Sequence, residues 1–159
     1  MFGMKDTDIC DLLPLIKIIG VGNVGNNTVN YLINHGIDNV EFITIETADS
    51  MHQKSLASEI IKSSTVEVEI GEETTLIAKD DILRVIHGTD LLFIILEIGK
   101  YKETSIASLI ASHAKGSGAL TIGVVTTANG PVIKNHYKSS DIEIKKFKQH
   151  VDSGVLPVK

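Results

Sequence analysis

The sequence predicts a doubly wound α/β fold: a mainly parallel sheet with helices on both faces. Three observations carry this. Apolar, strand-like runs alternate with amphipathic, helix-like stretches from residue 15 onward, the order that gives parallel strands joined by right-handed crossovers. Runs such as Leu91-Leu92-Phe93-Ile94-Ile95-Leu96 are apolar throughout, as expected of a strand covered on both faces. The third is a glycine triplet, Gly20-Val21-Gly22-Asn23-Val24-Gly25, at the first junction between a strand and a helix.

The elements follow in order. Residues 1–14 read as a polar lead-in ending at Pro14, and residues 15–159 as one domain. Strand candidates are 15–19, 40–45, 65–70, 91–96, 120–125 and 154–156. Helix candidates lie at about 24–35, 50–62, 78–87, 103–115 and 140–151. In the fourth helix, Ile106, Leu109, Ile110 and His113 follow i, i+3, i+4, i+7 spacing and read as an inward stripe; Ile144, Phe147 and Val151 do the same in the last. Gly36, Gly88 and Gly118 read as helix C-terminal stops.

Composition narrows the function classes. A net charge of −5 argues against a nucleic-acid partner, because phosphate backbones require clustered Lys and Arg. The one cysteine, Cys10, excludes an internal disulfide and fits a reducing cytoplasm. No apolar stretch is long enough to span a bilayer, and Asp6, Asp8 and Asp11 are wrong for a signal peptide.

The glycine triplet follows the apolar run Leu15-Ile16-Lys17-Ile18-Ile19 and precedes a helix. There, bare backbone can approach a phosphate while the helix N-terminus points free N–H groups at it. The competing reading is a tight turn with no ligand. Asn26 and Asn27 come next and suit either helix capping or contact with a phosphate oxygen. Glu46 ends the second strand about 20 residues beyond the glycines, where a dinucleotide fold places an acid on the ribose hydroxyls. A solvated acid at a strand end explains it equally well.

Longer stretches carry a more specific signal. Ile16-Lys17-Ile18-Ile19-Gly20-Val21-Gly22, Gly25-Asn26-Asn27-Thr28-Val29-Asn30 and Gly36-Ile37-Asp38-Asn39-Val40-Glu41-Phe42-Ile43 resemble the opening of FtsZ, the bacterial and archaeal tubulin relative. So do Asp90-Leu91-Leu92-Phe93-Ile94, Gly118-Ala119-Leu120-Thr121-Ile122-Gly123-Val124-Val125-Thr126 and Lys148-Gln149-His150-Val151-Asp152-Ser153. The fragments are collinear with the family from about residue 15 onward. The resemblance implies a Rossmann-like nucleotide-binding domain, GTP or GDP as ligand with Mg2+ as companion ion, and a role in cell division or cytoskeletal assembly. It also implies self-assembly as a homo-oligomer, or pairing with an FtsZ-like partner. Carried over by motif, the implied nucleotide contacts are Gly20, Gly22, Asn23, Gly25, Asn26, Asn27, Thr47, Gly99, Thr104 and Asn129, with Glu46 beside them.

Departures from the family pattern qualify that list. The family's phosphate loop GGGTGTG stands here as Gly99-Lys100-Tyr101-Lys102-Glu103-Thr104-Ser105, in which only Gly99 and Thr104 match. Side chains from Lys100 to Glu103 should obstruct close backbone approach. An ordinary helix start explains them too, with Glu103 at the positive end of the helix dipole. The segment resembling NTDAQ is Glu46-Thr47-Ala48-Asp49-Ser50, where only Thr47 matches, and Ile70-Gly71-Glu72-Glu73-Thr74-Thr75 is read as running straight into a helix. Asn129 stands where the family's sugar-contacting segment has an acid. The family's long central helix, base-stacking aromatic, catalytic-acid loop and second domain have no counterpart in these residues, so hydrolysis is expected to be absent or very slow.

The six histidines are scattered without metal-ligand spacing, and Asp80-Asp81 read as capping or decorating a helix N-terminus, with a Mg2+ role as the alternative. Three functions emerge: a GTP- or GDP-binding FtsZ-like domain without efficient hydrolysis, an FtsZ-like protein-interaction module that has lost nucleotide, and an NAD-binding Rossmann domain.

Overall fold

In a computed structural model, the described residues are 13–47, 54–69, 72–77, 79–98, 101–127, 145 and 147–158. A six-stranded sheet forms the centre, built from β1 (Ile16–Val21), β2 (Val40–Glu46), β3 (Glu59–Lys62), β6 (Leu91–Ile98), β7 (Leu120–Thr127) and β8 (Ser153–Val158). Its order is β3-β2-β1-β6-β7-β8, and every neighbouring pair is parallel. The strand order reverses between β1 and β6, the point at which doubly wound sheets open a crevice at their carboxyl edge.

Among the described residues, α1 (Gly22–Asn34), α2 (Lys79–Ile86) and α3 (Tyr101–Gly116) pack on the sheet. Alternate residues of the central strands feed two cores. Ile18, Phe42 and Ile95 pack with Val29 of α1 on one face. Ile19, Val21, Ile43, Ile45, Leu92, Ile94, Leu96 and Ile98 pack on the other face with Ile82, Val85 and Ile86 of α2 and Ile106 and Ile110 of α3. Each such fully buried Ile, Leu or Val stabilises the fold by about 1.5–3 kcal/mol. This confirms the two-faced burial expected from the apolar strands. Helix ends fall where the glycines predict: Gly36, Gly88 and Gly118 have φ of +72°, +70° and +91°.

Lys17 lies on the second face of the central strand, only 6% exposed. Its ammonium donates to the Val85 carbonyl at 2.5 Å and pairs with Glu41 at 3.4 Å, so the buried charge is held by two partners. At the β3 edge Arg84 bonds both Glu59 and Asp81, with Asp81 at 3.1 Å. These groups are largely solvated, and such pairs contribute at most about 1 kcal/mol.

Four expectations need correction. The helix expected at 50–62 is absent from its described part: residues 54–58 are irregular and Glu59–Lys62 is an edge strand. Two adjacent β-branched residues, Ile60 and Ile61, suit a pleat, where Ile61 is buried and Ile60 is 44% exposed. Residues 65–69, the described part of the strand expected at 65–70 in the main sheet, instead belong to an antiparallel hairpin of β4 (Ser64–Glu69) and β5 (Glu72–Leu76), which forms a separate two-stranded sheet. Glu72 to Thr75 are therefore strand and do not run directly into a helix. Thr65-Val66-Glu67-Val68-Glu69 alternates polar and apolar residues, a pattern seldom found in a parallel strand buried on both faces.

The inward stripe of α3 is also shifted. Ile106, Ala107, Ile110, Ala111 and Ala114 are buried, whereas Leu109 is 42% exposed and His113 half-buried. Three small alanines let the helix lie close to the sheet, and that rotates Leu109 outward. Finally, of the helix expected at 140–151, residues 145, 147 and 148 are helical and 149–150 form a turn. Phe147 and Val151 are buried as expected; Ile144 and residues 1–12 lie outside the described residues.

Candidate functional site

The site is built where β1 hands the chain to α1. Val21 precedes the helix in extended conformation (φ −108°, ψ 127°) and makes no side-chain cap. The first turn of α1 contains no acidic residue. The leading N–H groups of a helix have no partner within it and need one from elsewhere.

The three glycines play distinct parts. A Cβ at Gly20 would lie 2.6 Å from the Gly25 carbonyl carbon and 2.8 Å from a Val29 methyl. A Cβ at Gly25 would lie 2.6 Å from the Gly20 carbonyl carbon and 2.7 Å from the Ile95 carbonyl oxygen. Gly20 and Gly25 therefore let helix backbone rest on strand backbone. Gly22 is different: its φ is +73°, a left-handed geometry that favours glycine. A Cβ there would meet the Glu103 side chain, 2.7 Å from Oε2 and closer still to Oε1 and Cδ.

Glu103 comes from the other side of the switch point. Strand β6 lies beside β1, with Gly20 in register with Ile95, and α3 follows β6 onto the opposite face from α1. Glu103 sits in the first turn of α3 and is 2% exposed. Its carboxylate thus lies over the start of α1 while remaining at the start of its own helix. Both helix N-termini carry partial positive charge, and both favour an anion at that point.

The other expected site residues are distributed as follows. Asn23 is half-buried in the first turn of α1; Asn26 is buried and Asn27 exposed in the second. Because α1 begins at Gly22, Asn26 and Asn27 lie too far along it to cap it, which corrects that expectation. Glu46 ends β2, one residue beyond the pairing of Val21 with Ile45. It is half-buried, and its carbonyl accepts from the Ser63 N–H and hydroxyl, each at 2.9 Å. Thr47 and Thr104 are buried, at 6% and 5% exposure. The loop ends of β1, β2 and β6 thereby bring Gly22, Glu46, Thr47, Glu103 and Thr104 to one edge of the sheet. Gly99 and Asn129 lie outside the described residues.

Backbone and side chains differ at this point in what they offer an anion. The glycine backbone and uncapped helix start are suited to an anion, but the Glu103 carboxylate already lies on Gly22. Two anions in one buried space repel strongly. Among the described residues no group of three or more His, Cys, Asp or Glu could hold a metal ion. Asp80 and Asp81 lie in the first turn of α2, as the sequence suggests. The sequence places Glu103 among the side chains expected to obstruct close backbone approach, with an ordinary helix start as the alternative; that its carboxyl group lies on Gly22 in particular was not legible there. The available signal was an acid in place of the fifth residue of the family's GGGTGTG loop.

No family model matches the chain. Solved structures do. An FtsZ mutant from M. jannaschii superposes with a TM-score of 0.75 at 27% identity, over 91% of this chain and 46% of that one. An FtsZ dimer from M. jannaschii described as empty gives 0.74 at 26% identity, over 97% of this chain and 50% of that one. CetZ from Methanosaeta thermophila shares the fold with a TM-score of 0.71 at 17% identity, over 92% of this chain and 46% of that one. The chain spans about half the length of the structures it matches. No helix among the described residues is long and apolar enough to cross a membrane.

Proposed function

The chain is a divergent FtsZ/tubulin-like domain, and from that premise we propose that it is a non-hydrolysing interaction module of this fold, working through protein contacts without a resident nucleotide. One observation carries the reading: the buried Glu103 carboxylate lies on Gly22, in the space a phosphate would need. Its partner is a second copy or an FtsZ-like chain; one of the matching FtsZ structures is a dimer. The lone cysteine is consistent with the cytoplasm, and a role in cell division or cytoskeletal assembly follows from the resemblance alone.

A second reading is a GTP- or GDP-binding domain without efficient hydrolysis. The preserved backbone favours it, with Gly22 at φ +73° and Gly20 and Gly25 in close contact. Glu46 at the end of β2 keeps NAD in the comparison. Thermal unfolding with millimolar GTP, GDP, ATP and NAD separates the readings. Ligand at 100 times its Kd stabilises a protein by about 2.7 kcal/mol. The module reading expects no shift with any of the four. A shift with GTP or GDP replaces it with the second reading, and a shift with NAD alone identifies a dinucleotide domain. GTP turnover is expected to be undetectable; phosphate release that disappears in Gly22→Val would overturn that expectation.

A further inference from the structure

We propose that Glu103 is a built-in occupant of the phosphate cradle, an intramolecular carboxylate in the position of a ligand anion, and that removing it exposes a latent site for phosphate-type anions. The inference deepens the module reading and rests on the same loop.

Four observations converge on it. The carboxylate is almost fully buried, although Glu is a residue seldom buried to this degree. It lies where a Cβ of residue 22 would stand, a place left open by glycine. Helix α1 supplies neither a capping side chain nor an acid in its own first turn, so the negative charge placed there comes from another element. Glu103 also lies in the first turn of α3, so a second helix end favours the same negative charge. A glycine loop that ordinarily cradles a phosphate is here closed by an acid from the adjoining crossover.

The occupant is a single charge on one side chain, held by covalent attachment to α3. Its removal leaves the left-handed glycine, the uncapped turn and an emptied volume. That combination suits a compact multiply charged anion, and pyrophosphate is the probe of choice. The residue therefore decides whether this loop accepts an anion from solution, although it performs no chemistry.

The test compares the full chain with Glu103→Ala and Glu103→Gln. Pyrophosphate and GDP are titrated calorimetrically into each. Backbone amide shifts of Gly22 and Asn23 are recorded by NMR for wild type and Glu103→Gln without ligand. Glu103→Ala is expected to bind pyrophosphate at least tenfold more tightly than wild type. In Glu103→Gln, the Gly22 and Asn23 amides are expected to shift more than those later in α1. Equal pyrophosphate affinity in wild type and folded Glu103→Ala overturns the inference, as do unchanged amide shifts in Glu103→Gln. Should Glu103→Ala fail to fold, the amide shifts of the near-isosteric Glu103→Gln decide alone. Failure of the inference is distinct from failure of the module reading. Silence in both wild type and Glu103→Ala sinks the inference and leaves the module standing. Tight GDP binding by wild type, no tighter in Glu103→Ala, sinks both.

Discussion

Replacing Gly22 by alanine places a methyl group where the Glu103 carboxylate now lies. Two costs follow, and they have different origins. The first belongs to the backbone: an L-residue at φ +73° is strained by about 1–2 kcal/mol. The second belongs to the contact. The carboxylate must leave Gly22, and the start of α1 loses a nearby negative charge, worth about 1–2 kcal/mol in a buried geometry. Gly22→Ala should therefore destabilise the chain by about 2–4 kcal/mol in urea unfolding followed by circular dichroism. In a Glu103→Ala background the contact is already gone and only the backbone cost of about 1–2 kcal/mol remains. The double-mutant cycle should show about 1–2 kcal/mol of coupling. Additivity within about 0.5 kcal/mol, the tolerance seen for independent sites, would refute the reasoning.

Further expectations concern packing. Gly25→Ala should cost about 3 kcal/mol, the upper end of overpacking, since its Cβ would press on the Ile95 carbonyl and Gly20 backbone, neither of which can swing aside; a loss below about 1 kcal/mol in the same unfolding assay would show that helix and strand separate easily. Ile110→Ala should cost about 2–5 kcal/mol, whereas Leu109→Ala should stay within about 1 kcal/mol, since Ile110 is fully buried and Leu109 42% exposed. Comparable losses in thermal unfolding would mean that the orientation assigned to α3 is wrong.

The sheet was legible because its central strands obey a simple rule. Residues 16–21 and 91–98 are covered on both faces, so they are apolar in sequence with almost no interruption. The helix stops were legible because each glycine answers a steric demand at positive φ. What escaped was decided by tertiary contact. Ile60-Ile61 is a short apolar pair compatible with helix or strand, and only its place beside β2 makes it an edge strand. Leu109 has the correct spacing for the core, but the alanines around Ile106 and Ile110 set the rotation of the helix. The glycine loop could be located in the sequence, and its contents could not. Glu103 is 81 residues beyond Gly22, and its contact depends on β6 lying next to β1.

That adjacency also governs the order in which the chain can fold. Strand β1 acquires β2 as a neighbour within 30 residues, but its other edge is completed only by Leu91 to Ile95. Leu15 donates to the Asp90 carboxylate across a separation of 75 residues. Closing so long a loop costs entropy before any pairing energy returns, which makes such assemblies slow to form. During synthesis β1 therefore waits with an open, sticky border until residues 91–95 have been made, and this interval is when a nascent copy is most exposed to pairing with the wrong strand.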